Sequence, residues 1–290
     1  MKLFPTLVLA VFFTLTVHAQ DRSAALEEFN GLKKKAASLE SVILAPEKAD
    51  IEAATKDGLN VFRILPRETY DNSFSSIRGG GAYYSFYFRY NDYGHGSDLA
   101  LEQNYLSTGS SGLGLMADLG NVPLSEISAE TSALIELVSY QNSKYPEIEK
   151  DRALVYKGLK LGETTFNTRL SPIVGHTYVL RSLVFGYYDV VVGFRILRKD
   201  EDGSLIIFWK LLEQLNTQTY REAIPKRSDA ELLKSLTDMT HRDIFSNVRP
   251  EVRDSVAIMR GAIDRQNLPY LVQLATSAGA LKVVNALDVK

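Results

Sequence analysis

Residues 177–184 (TYVLRSLV), 190–198 (VVVGFRILR) and 204–215 (SLIIFWKLLEQL) decide how this chain folds. Each run is rich in β-branched and aromatic side chains and is bounded by Gly, Asp or Asn, so the three are expected to be consecutive strands. Asp202-Gly203, between the last two, is the residue pair of a tight hairpin turn. A two-residue turn there sets Val192, Phe194 and Ile196 on one face with Ile207, Trp209 and Leu211. That face holds the only tryptophan of the chain and is the expected core. The same register sets Arg195 directly opposite Lys210. Connections this short pair strands antiparallel.

Working outward, residues 82–90 (AYYSFYFRY) are expected to form a strand with Tyr84, Phe86, Phe88 and Tyr90 on one face and Tyr83, Ser85, Tyr87 and Arg89 on the other. A polar loop, 91–97, leads to a second strand over 99–106, followed by a flexible Ser/Gly stretch at 107–114. Residues 60–65 are β-like, and 154–161 and 164–170 are further candidate strands. Helices are expected over 21–39, 46–56 and 128–140. Beyond Pro225, Ser228 with Glu231 makes a capping box in front of Leu232, Leu233 and Leu236. Residues 254–263 and 268–287 are expected to continue in helical or short looped form. No internal repeat, coiled-coil heptad or low-complexity tract is apparent. The fold class is therefore α+β, an antiparallel sheet made of an aromatic hairpin and a β-meander, flanked by N- and C-terminal helices.

The amino terminus has the form of a secretory signal. Lys2 precedes a short apolar run, residues 7–16 (LVLAVFFTLT), and Val17-His18-Ala19 supplies small residues at −3 and −1. Cleavage after Ala19 divides the chain into a signal peptide (1–19), an α+β domain (20–224) and a helical C-terminal segment (225–290) packing on it. The mature chain is then expected to be secreted or periplasmic, with no membrane span. Hydrophobic content of 45% against 23% charged residues is that of a globular protein rather than a disordered one. A formal charge of −2 gives no electrostatic reason to expect nucleic acid. The absence of cysteine excludes thiol chemistry and thiolate metal sites, and with the absence of N-x-S/T sequons it fits a bacterial exported protein.

The segment from His176 through TYVLRS, then Asp189-VVVGFR, then Arg198-KDEDGS and Trp209-KLL resembles a segment shared by uncharacterised exported bacterial proteins. The resemblance covers about residues 177–212. It implies export and a β-meander, and it brings no chemistry with it.

Candidate sites are few. The loop around His95 gathers Asp92 and Asp98 within reach of an imidazole set between Gly94 and Gly96, the makings of a base with an orienting carboxylate; the same residues also make an ordinary polar hairpin loop. Arg181, Arg195 and Lys210 form a cationic row if their strands bring them to one face, suited to a carboxylate or phosphate. Tyr83 and Tyr87 offer flat amphipathic surface for a carbohydrate or protein, or else a strand buried on both sides. The acidic turn at 200–204 lacks the later bidentate Glu of a calcium loop. Gly112-Leu-Gly114-Leu-Met-Ala117 spells a dinucleotide fingerprint without the strand, helix and acidic partner it needs. His176 and His241 are expected at the surface, and neither a metal site nor a cofactor is expected. The functional expectation is an exported non-enzymatic binding or interaction protein for an anionic small molecule, a carbohydrate or a protein. Its alternative is a hydrolase or other acid–base enzyme using His95 with Asp92 or Asp98.

Overall fold

A computed structural model describes residues 6–70, 80–91, 96–102, 104–109, 112–145, 147–219, 227–241 and 243–290, with side chains from residue 22 onward apart from 69 and 70. The chain forms two compact units, Met1–Ala45 and Pro46–Lys290. The first holds one helix, α1 (Thr6–Leu44). The second opens with α2 (Lys48–Lys56), β1 (Asn60–Ile64) and the short α3 (Arg67–Tyr70). Next come β2 (Tyr83–Tyr84), β3 (Leu99–Glu102), β4 (Tyr105–Thr108) and β5 (Leu113–Asp118). Two helices follow, α4 (Ser132–Ser139) and α5 (Ile148–Tyr156), then the short strands β6 (Leu159–Leu161), β7 (Thr164–Phe166) and β8 (Arg169–Leu170). The long strands are β9 (Thr177–Val184), β10 (Tyr188–Lys199) and β11 (Leu205–Leu215). The chain ends with α6 (Asp229–Thr240), β12 (Val248–Arg253), β13 (Val256–Ile263), α7 (Leu268–Ser277) and β14 (Lys282–Val289).

The fold is α+β. Its centre is a five-stranded sheet in the order β1-β11-β10-β9-β5, every neighbour antiparallel. Both faces are apolar, so the sheet is a middle layer. On one side Ile64, Met116, Tyr178, Phe194 and Trp209 pack against Tyr84, Phe86, Leu99 and Leu106 of the small sheet β2-β3-β4-β8 and the turn beside it. On the other side Leu115, Val179, Val191 and Phe208 pack under Leu134 and Leu137 of α4 and Val155 of α5.

The meander lies where the sequence put it, with one correction in its turn. Asp200 donates its amide to the Ser204 carbonyl, so the loop is the three residues 201–203, closed by Gly203 at φ +84°. A three-residue loop ending in a left-handed glycine relieves the turn through a bulge, and Asp202-Gly203 serves that loop as well as a two-residue one. The longer loop moves the register by one residue and a bulge between Ile196 and Arg198 moves it by one more, so Arg195 lies opposite Phe208, and Lys210 lies opposite Gly193. An even shift leaves the faces unchanged. Phe194 faces Trp209, Ile196 faces Ile207, and all four are buried. Leu211, expected in that core, is exposed.

The aromatic segment is not a strand throughout. Only Tyr83–Tyr84 pair with β3, after which the backbone turns at residues 86–89, with Arg89 at φ +65°. A buried carboxylate breaks the strand: Asp98 Oδ2 accepts from the Phe86 amide at 2.7 Å and from Ser85 Oγ at 3.2 Å, while Ser85 Oγ accepts the Phe88 amide at 3.1 Å. Those bonds curl amides inward that a strand would offer to a neighbour. The strand expected over 99–106 is instead the β3–β4 hairpin, and that expected over 154–161 begins as the end of α5 and becomes a strand only at β6 (Leu159–Leu161). The buried Ile148, Asp151 and Val155 of α5 recur at helical spacing.

Residues 225–290 are not wholly helical. The capping box of α6 forms as expected, Ser228 accepting from the Glu231 amide and Glu231 from the Ser228 amide. Beyond it, β12, β13 and β14 make a three-stranded sheet. Ala257, Met259 and Ile263 are the buried members of β13, a two-residue alternation interrupted only near Gly261 and hidden in a short segment without a strong turn signal. Pro250 sits on the edge strand β12, where its missing amide is tolerated. β13 and β14 are parallel, joined across α7, in a stretch where helical or short looped structure was expected. This sheet is fused to the aromatic turn: Tyr87, Phe88 and Tyr188 share a core with Leu232, Met259, Leu271 and Val283.

Candidate functional site

Asp92 and His95 lie outside the described residues. Asp98, their expected partner, faces inward and is fully buried. Its Oδ1 accepts from Ser182 Oγ at 2.5 Å and from Tyr188 Oη at 2.9 Å, in addition to the bonds on Oδ2. No cation among the described residues contacts it, and burial pushes the carboxyl up to about 6. Its bonds hold the aromatic turn, β9 and β10 together. The Asp98 side chain is thus committed to the core, and the role expected of it as an orienting group for a surface base is corrected to a structural one.

The cationic row does share one face of the central sheet, and each member is engaged by the chain itself. Arg181 is buried in a pair with Asp189, Nη2 to Oδ2 at 2.7 Å, and donates to the carbonyls of Leu137 and Tyr140 at the end of α4. Arg195 donates to the Val122 carbonyl and to Asn121 Oδ1. Lys210 donates to the Ile127 carbonyl at 2.9 Å. The row fastens residues 121–140 onto the sheet; it is neither a ligand site nor a freely solvated face. Arg181, removed from water, is the most firmly held, since losing either charge would strand the other.

Tyr87 is likewise structural. It is buried, stacks on Tyr188 at 4.4 Å between centroids, and donates its hydroxyl to the Val283 carbonyl at 2.6 Å. His176 sits beside Asp118 at 3.0 Å near the surface and does not line the cleft between the small sheet and α5. The acidic turn is tied internally: Asp200 bonds Arg63 and Arg198, and Asp202 caps Ser204.

Tyr83 alone of the expected residues lines this cleft, a cavity of about 940 Å³. The cleft follows from close backbone packing. The Gly109 amide donates to the Asp98 carbonyl, and a Cβ at Gly109 would stand 1.7 Å from the Ser97 carbonyl oxygen. A Cβ at Gly112 would stand 1.7 Å from the Leu183 oxygen. The Ser/Gly stretch expected to be flexible is therefore packed at both of these glycines, and only glycine lets β4, β5 and the Ser97–Asp98 backbone approach so closely. Ser97 is held at the cleft wall with 7% exposure, and its Oγ is buried with no hydrogen-bond partner among the described residues.

The walls are cationic and aromatic. Arg67, Arg152, Lys157 and Arg169 line the cleft against two carboxylates, Glu102 and Glu149. Arg67 pairs with Glu102 at 2.8 Å, and Arg152 pairs with Glu149 while its Nε holds the Gly112 carbonyl at 2.7 Å. Arg169 lies 5.0 Å from the Tyr105 ring and 6.0 Å from that of Tyr156, which is 66% exposed. Lys157, just past the end of α5, adds an exposed charge. Two positive charges thus remain over after pairing, in a chain whose net charge is −2. Neither His nor Asp is among the described lining residues.

Ser97, Lys157 and Arg169 escape sequence reasoning because they come from separate segments joined only by strand pairing and helix docking. Their one local signal was the glycine pattern at 109–112, which marks close packing as readily as freedom. No protein-family model, curated protein or solved structure matches this chain.

Proposed function

We propose that this chain is an exported, non-enzymatic binding protein whose cleft between the small sheet and α5 takes a small anionic ligand with a flat apolar face, of the kind an acidic sugar presents. The observation that carries this reading is the meeting, in one concave site, of a surplus of two cations with the exposed Tyr156 ring and the unpartnered Ser97 hydroxyl. Cations hold a carboxylate, an aromatic face stacks on a sugar ring, and a buried hydroxyl left unbonded is a polar group awaiting a partner. The acid–base alternative finds no exposed carboxylate in Asp98, whose oxygens are already engaged.

Titration calorimetry with a uronic-acid disaccharide, and with its neutral counterpart as control, tests the proposal. The acidic disaccharide is expected to bind and the neutral one to bind much more weakly. Reversing both free charges, Lys157→Glu with Arg169→Glu, should weaken the acidic ligand at least about tenfold, since each site loses a charge-assisted bond. Equal affinity for the two sugars, or binding indifferent to the double reversal, would refute an anion site in this cleft.

A further inference from the structure

Helix α1 carries an apolar seam that is exposed among the described residues. Leu26, Phe29, Leu32, Leu39, Val42 and Ile43 are all exposed, Phe29 at 57% and Leu32 at 60%. With Phe29 at position a of a heptad, Leu32 falls at d, Ala36 at a, Leu39 at d and Ile43 at a, preceded by Ala25 at d. Alternate spacings of three and four residues are the repeat of a coiled coil. The pattern is short, running from Arg22 to the end of the helix, and it corrects the expectation that the chain holds no heptads.

The flanking charges choose the partner. Glu28 and Lys35 occupy the g positions, and Lys33 and Glu40 the e positions that follow them. In a parallel pair of identical helices, g of one copy faces the next e of the other. Glu28 then meets Lys33, and Lys35 meets Glu40, with both contacts repeated by symmetry. In an antiparallel pair aligned with Phe29 opposite Leu39, Lys33 would face Lys33 and Lys35 would face Lys35, a repulsive arrangement. We infer that α1 joins two copies of this chain as a parallel two-stranded coiled coil. Its basis is separate from the cleft, so either reading can fail without the other.

Sedimentation equilibrium of the purified chain tests this, with Trp209 fluorescence reporting that the Pro46–Lys290 unit stays folded. A reversible dimer is expected at concentrations up to about 100 µM, a range that detects even a weak short coil. Leu32→Glu should leave a folded monomer. Glu28→Lys should weaken association about tenfold by making both symmetry-related contacts repulsive, and adding Lys33→Glu should restore it. Because the chain has no cysteine, Leu32→Cys gives a clean crosslinking probe: position d meets its own copy only in the parallel pair, so oxidation should yield a covalent dimer. A monomer throughout that range, a dimer indifferent to Leu32→Glu, no recovery in the Glu28→Lys, Lys33→Glu chain, or no Leu32→Cys crosslink would overturn the inference.

Discussion

At the scale of single residues, Asp98 organises the most of this fold. A carboxylate with no cation beside it among the described residues takes hydrogen bonds from Ser85, Phe86, Ser182 and Tyr188, drawing three distant segments to one point. The bonds only partly offset the cost of burying the charge, and the carboxyl is pushed up to about 6. The raised value fixes the sign of a pH effect. Below about pH 4 Asp98 is protonated in both the folded and unfolded chain, and its contribution to stability is fully present. As pH rises past 6 the folded protein must carry a buried charge, and that contribution is lost. Relative to Asp98→Asn, which stays neutral, the native protein should lose about 2 kcal/mol of unfolding free energy between pH 4 and pH 7. Denaturant unfolding of both proteins across that range would show it, and parallel stability profiles would contradict it. Sequence reasoning found Asp98 but assigned it to the wrong work. A carboxylate beside a histidine looks like chemistry until Ser182 and Tyr188, far along the chain, are seen to hold it.

Among the elements, the β10–β11 hairpin shows what alternation can and cannot decide. Which side chains share a face follows from a two-residue period, so Phe194, Ile196, Ile207 and Trp209 were legible as a core. The length of the turn was not, because Asp202-Gly203 fits either of two loops, and the pairing of Arg195 and Lys210 shifted with it and with the bulge between Ile196 and Arg198. Aromatic segments mislead for a related reason. Residues 82–90 have strand composition, but residues 86–89 are held in a turn by one buried acid. The face itself is open to a direct check. Trp209 is fully packed between Phe194 and the rings of Tyr84 and Phe86, at 6.2 Å and 5.1 Å between centroids. Trp209→Ala should therefore cost roughly 3–5 kcal/mol, the loss expected on emptying a large aromatic site. A cost below about 1 kcal/mol in equilibrium unfolding would mean that the ring is not in the core.

On the scale of the whole molecule, the Pro46–Lys290 unit is a central sheet with a layer on each face, and its cleft opens where the small sheet and α5 leave space between them. No helix among the described residues is long and apolar enough to cross a membrane. Export remains the proposal that the amino terminus supports, and intact-mass measurement of the chain recovered from its natural compartment should find it beginning at Gln20. A chain retaining residues 1–19 there would count against cleavage. The cleft was not legible beforehand, because its cations arise from α3, α5 and β8 and acquire meaning only when the backbone brings them together. Amide-resonance mapping of the purified chain during titration with the uronic-acid disaccharide tests that assembly most directly. The account predicts saturable shifts centred on Ser97, Thr108, Gly109, Gly112, Lys157 and Arg169. Shifts centred instead on Arg195, Lys210 or His176, or none at all, would contradict it.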